Sequence, residues 1–116
     1  MIERFHTWNR MSQVVVHDKT AYVAGQVAKK APYGTIKEQT HAVLARIEEL
    51  LEEVGTDKTK ILSATIWLCS MDDFGEMNEV WDSWVAGGIG PARACVESPR
   101  LGGPEWNIEI SLIAAI

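Results

Sequence analysis

The chain has 116 residues, 47% of them hydrophobic and 23% charged, and its 11 Lys and Arg against 16 Asp and Glu leave a formal net charge of −5. A chain of this length buries roughly two-thirds of its unfolded surface, so one domain over residues 1–116 can form a core without disulfides or a structural metal, and a stapled miniprotein is excluded. The acidic balance argues against a protein that works by neutralising phosphates, and no apolar stretch approaches the roughly 18 residues of a membrane span.

No repeat, low-complexity tract or linker-like change in composition divides the chain. SQVVVH (12–17) and TAYVAGQV (20–27) read as β-branched strands joined by a tight turn at Asp18-Lys19, with Gly25 interrupting the second. A further short strand is admitted over residues 2–7. Thr35-Ile36-Lys37-Glu38 has the capping-box pattern of a helix start. Val43, Leu44, Ile47, Leu50, Leu51 and Val54 then recur at spacings of three and four as one apolar stripe, and Gly55 ends it. ILSATIWLC (61–69) is strand-like, with Ile61, Ser63, Thr65, Trp67 and Cys69 on one side by period two. Asp72 and Asp73 supply capping acids for a second helix whose stripe is Phe74, Met77, Trp81, Trp84 and Val85, with Gly87-Gly88 as its stop. Residues 93–97 and 106–115 complete the chain as two more strands.

The order β-β-α-β-α-β-β predicts an α/β (α+β) architecture of one mixed sheet and two helices. Two helices cover one face of such a sheet and leave nothing for the other. The last strand offers that open face either Trp106, Ile108, Ile110, Leu112 and Ala114 or a mixed set with Ile113 and Ala115. A homo-oligomer packed through the uncovered face is therefore expected.

Arg93, Cys95, Glu97 and Glu109 stand out as charged or reactive groups inside apolar strands, the first three on one face by period two. A strand-held guanidinium suits a carboxylate ligand and a strand carboxylate can orient a water, which together would make a small-acid site; an Arg93–Glu97 or Arg93–Glu109 ion pair without a ligand fits the spacing equally. Cys95 lacks a Cys/His motif and reads as a small hydrophobe rather than a nucleophile. His6, His17 and His41 are scattered, and Cys69 and Cys95 show no CxxC spacing, so no metal is predicted. Trp67, Trp81, Trp84 and Trp106 read as core rather than as a stacking platform. Gly25-Gln26 marks either close approach of a ligand to the backbone or merely a bulge. The cysteine usage and the lack of a leader-like start make a reducing, cytoplasmic setting the expectation.

GPARACVESPRL (90–101) with NIEISLIA (107–114) resembles the C-terminal signature of the reactive-intermediate deaminase (Rid, or YjgF) family, and YVAGQV (22–27), QTHAVLARIEELLEEVG (39–55) and MDDFGEMNEVW (71–81) extend the likeness over nearly the whole chain. The resemblance implies a chorismate-mutase-like fold, a homotrimer with its sheets inside, sites in the clefts between subunits, and cofactor-independent hydrolysis of 2-imino or enamino acids to 2-keto acids and ammonia. It assigns Arg93 to the substrate carboxylate, Glu109 to the attacking water, and Cys95, Gly25 and Asn78 to the pocket. Met11 stands where the familiar deaminases carry a tyrosine, which marks a side branch and implies weaker binding or bulkier side chains. A keto-acid-binding or chaperone-like role is the alternative, with endoribonuclease activity disfavoured by the acidic balance.

Overall fold

The computed structural model describes residues 1–85 and 87–116. Valines 14 to 16 fall in β2 (Ser12–His17), and a turn at Asp18, in left-handed backbone with φ 55°, sends the chain straight back as β3 (Thr20–Gln26). The admitted first strand is present as β1 (Ile2–Thr7), antiparallel to β2. β4 (Ile61–Leu68), β5 (Ala92–Glu97) and β6 (Ile108–Ala115) complete a six-stranded sheet in the order β1-β2-β3-β6-β4-β5. Only β4 and β5 run parallel, joined by helix α2 (Phe74–Trp84); the other neighbours are antiparallel.

Helix α1 (Ile36–Glu53) connects β3 to β4, which run in the same direction with β6 between them. The two crossovers, β3 to β4 and β4 to β5, step the same way across the sheet, and connections of one hand then place both helices on one face. The result is two layers, only 21 Å through the thinnest dimension.

The expected capping box opens α1: the Thr35 hydroxyl accepts from the Glu38 amide at 3.1 Å and Glu38 Oε1 from the Thr35 amide at 2.8 Å. Val43, Leu44, Ile47, Leu50 and Leu51 of the stripe are buried against the sheet. Gly55, at φ 83°, closes the helix with its amide on the Glu52 carbonyl. The sheet's share of the core comes from Val14, Val23, Ala64, Ile66, Leu68, Ile108, Ile110 and Leu112.

Four local expectations are corrected. A register shift between Ile61 and Ser63 breaks the alternation of β4, so Ile61 joins Ala64, Ile66 and Leu68 in the buried set while Ser63, Thr65 and Trp67 alternate with them. Asp73 precedes α2 but makes no side-chain cap, because a 3₁₀ turn over Met71–Asp73 already feeds helical backbone into it; Ser70 caps that turn through the Asp72 amide. The buried residues of α2 are Met77, Val80 and Trp81, whereas Phe74 is exposed. The last strand also starts later than expected, because Trp106 lies in a turn closed by its amide on the Gly103 carbonyl.

Gln39, fully buried on α1, donates to the carbonyls of Ala31 and Glu105 at 3.0 and 2.7 Å and accepts from the Asn107 amide at 2.7 Å. Replacing it by leucine leaves those backbone groups buried without their partner. Gln39→Leu is expected to lower stability by about 2 kcal/mol or more, read as a lower urea midpoint, against about 1 kcal/mol for Thr35→Ala at the cap.

Candidate functional site

Arg93 lies opposite Ala64 on β5, the sheet's edge strand, and Ala64 faces the helices. Its guanidinium therefore meets α2. Nη1 donates to Asn78 Oδ1 at 2.7 Å, and Cζ sits 5.4 Å from the Trp81 ring centre and 5.8 Å from that of Phe74. Phe74, Asn78 and Trp81 are four and three residues apart, one stripe of a helix, so a single surface of α2 builds an aromatic slot with a neutral acceptor in it. Neither ion pair admitted by the spacing forms: among the described residues Arg93 has no carboxylate within salt-bridge distance, and Glu97 instead accepts from the Met71 amide at 2.9 Å. A guanidinium has five N–H donors, and Asn78 uses one.

Cys95 lies opposite Ile66, on the same side as Arg93, and packs against the core. Burial pushes its thiol pKa up more strongly than nearby Arg93 pulls it down. A thiol held protonated lines a pocket but does not attack a substrate. Cys69 is pushed the same way, by burial and by the charge of Asp73, and its Sγ donates to the Trp106 carbonyl at 3.2 Å.

Glu109 belongs to the other side of the sheet. It lies opposite Trp67 on β4, three residues on from Ala64 and so of opposite facing, and it is half-buried between the fully buried Ile108 and Ile110. Burial alone raises its pKa above the ordinary carboxylate range. Gly25 adjoins it. The register of β3 against β6 shifts between Val23 and Gln26, and a Cβ built at Gly25 would collide with the Glu109 carboxylate. The bulge reading of that glycine is the one seen, and the group that approaches its backbone is the chain's own Glu109.

Arg93 and Glu109 sit two strands apart and three residues apart along them, about 14 Å in all, and on opposite faces of the sheet. Met11 is farther still. It is half-buried in the turn between β1 and β2, where its carbonyl accepts from the Trp8 amide at 2.9 Å, and β3, β6 and β4 separate β2 from β5. The candidate residues therefore fall into two groups, two candidate half-sites: Arg93, Asn78 and Cys95 against α2, and Glu109 with Gly25 on the open face. That face carries the mixed set, with Ser63, Thr65 and Ser111 among Tyr22 and Ile113. Among the described residues, no group of three or more His, Cys, Asp or Glu is placed to hold a metal ion.

Trp81 belongs to the core as its helical spacing predicts, whereas Phe74 does not; both share one stripe of α2 with Asn78, a polar residue that the apolar pattern passes over.

The family model described as Endoribonuclease L-PSP matches residues 1–116. A RutC family protein from Haemophilus ducreyi is 43% identical over 116 residues, covering all of this chain and 97% of that protein. A 2-iminobutanoate/2-iminopropanoate deaminase from Rattus norvegicus is 33% identical over 89% of this chain and 77% of its own length. The crystal structure of a YjgF family member from Neisseria meningitidis matches with a TM-score of 0.93 and 45% identity, over 99% of this chain and 94% of that one.

Gly25→Ala is expected to displace the Glu109 side chain with little change in fold, since the colliding atoms lie at the end of a flexible side chain. An NMR titration of the Glu109 carboxyl would read the displacement as a pKa moved back toward the ordinary value.

Proposed function

The chain belongs to the Endoribonuclease L-PSP family, which includes YjgF and Rid proteins, and from that premise we propose that it hydrolyses 2-imino and enamino acids to 2-keto acids and ammonia. The observation that carries this reading is Arg93: a guanidinium held in an aromatic slot, with one neutral partner and, among the described residues, no other. Such a group is made to receive a carboxylate through two parallel hydrogen bonds. The relatives named as iminobutanoate deaminases add support. The family model's description names an endoribonuclease, but a net charge of −5 and sparse lysines favour a small acid over RNA.

The chemistry asks little beyond placement. An iminium carbon is electrophilic already, so the protein fixes the carboxylate on Arg93 and aims a water at that carbon. Glu109, ionised, takes a proton from the water as its oxygen bonds to carbon and the C=N electron pair moves to nitrogen. Protonated Glu109 gives its proton to the carbinolamine nitrogen and takes the hydroxyl proton as the C=O bond forms and the C–N bond breaks, so ammonia and the keto acid leave; Glu109 then releases to solvent the proton that the iminium brought in. Atoms and charge balance without a cofactor.

Arg93 and Glu109 cannot reach one small substrate within a single chain, because the sheet lies between them. A second copy that lays its β5 edge and α2 against the open face would unite them. We therefore assign the site to the contact between copies of a homotrimer, which also covers the exposed Tyr22 and its neighbours. A metabolite-binding role would need Arg93 but not Glu109, and this difference separates the two readings.

With imino acids generated in situ by an amino-acid oxidase, Arg93→Ala is expected to lower kcat/KM for keto-acid formation by about 100-fold or more, and Glu109→Gln to lower kcat by about 100-fold. Because Glu109 acts ionised and burial raises its pKa, the rate should rise with pH through a value above the ordinary carboxylate range, and this limb should vanish in Glu109→Gln. Mixing the two variants should restore part of the activity if each site draws on two copies. A monomer by light scattering, or hydrolysis indifferent to both substitutions, would refute the assignment. Met11→Tyr is expected to shift the ranking of imino acids by side-chain size.

A further inference from the structure

A second cleft lies on the helix side of the sheet, between α1 and the end of the β2–β3 hairpin. Its volume is about 290 Å³, room for about ten waters. Gln13 and Gln26 come from the strands, Ala42 and Arg46 from α1, and Lys29 and Lys30 from the loop after β3. None of these residues belongs to either half-site.

The two glutamines set what the cleft can recognise. Gln26 is 6% exposed, and its Nε2 donates to Gln13 Oε1 at 2.6 Å and to the Ala24 carbonyl at 3.0 Å. Both of its amide hydrogens are thereby spent, and Gln13 has committed its carbonyl. What remains is the Gln26 carbonyl as acceptor and the Gln13 amide as donor; among the described residues neither has a further partner in the chain. The Gln26 carbonyl is not shut away from solvent, so it stays open to a ligand in the cleft that both glutamines line. The rim carries Lys29, Lys30 and Arg46 against one acid, Glu49, which lies 3.6 Å from Arg46. The helix contributes the small side chain of Ala42 on the wall, where anything larger would occupy the space.

We propose that this cleft is a binding site, distinct from the half-sites of Arg93 and Glu109, for a small carboxylate bearing a neutral amide-like group. The paired donor and acceptor of Gln13 and Gln26 take the amide, and the lysines and Arg46 at the mouth take the carboxylate. This assignment does not depend on the reaction proposed above.

N-acetylglycine carries both groups, whereas acetate and N-methylacetamide carry one each. Titrated into ¹⁵N-labelled protein, N-acetylglycine is expected to shift the side-chain amide signals of Gln13 and Gln26 saturably, with an affinity at least tenfold above either fragment. Ala42→Leu should abolish the shifts by filling the cleft. The surface variant Lys29→Gln/Lys30→Gln, which leaves the core untouched, should weaken N-acetylglycine severalfold and leave N-methylacetamide unaffected. Arg93→Ala should leave all of these shifts in place. Absence of saturable shifts at the two glutamines, equal affinity for the three probes, or shifts lost in Arg93→Ala would each overturn the proposal.

Discussion

Gln39 is the constraint on which the layout of this protein turns. A fully buried amide on α1 holds the backbone at Ala31 and Glu105 and receives the amide of Asn107, so one side chain sets the helix, the loop before it and the start of β6 in a common frame. Glu109 follows Asn107 by two residues. The position of the half-buried carboxylate is thus inherited from a hydrogen-bond network on the other side of the sheet, where no water competes for its partners.

The sheet itself divides the chemistry. Two crossovers of the same sense put both helices on one side, which leaves the polar face of β4 and β6 uncovered and places Arg93 with α2. Each half-site is held well. The aromatic slot and Asn78 fix the guanidinium, and the missing Cβ of Gly25 makes space for the carboxylate. Under the proposed assignment, two rigid halves are prepared separately and joined by association between copies, a form of preorganisation in which each half is ordered independently of the other.

Where local physics alone decides, the sequence is a faithful guide. The capping box at Thr35, the stripe from Val43 to Leu51, the hairpin at Asp18 and the mixed sheet under two helices all follow from spacing and turn chemistry. The failures have a common cause in irregular backbone. Period two carries no sign of the register shift after Ile61, and a 3₁₀ turn before α2 cannot be told from the cap that Asp72 and Asp73 suggest. For the site, period two correctly set Arg93 and Cys95 on one side. It could not relate them to Glu109, because facing across strands depends on pairing register, which distant parts of the chain decide together. The Gln13–Gln26 pair escaped notice for the same reason.

The position of β6 bears on how the molecule comes into being. β6, the sixth strand in chain order, lies between β3 and β4, in the middle of the sheet. A nascent chain emerging from the ribosome can form the first hairpin and α1 from neighbours in sequence, but β3 and β4 have no common partner until residues 108–115 are synthesised. The sheet closes after translation of its centre rather than growing from one edge. Until then two strand edges stay open, and a chaperone that shields such edges has its longest opportunity here.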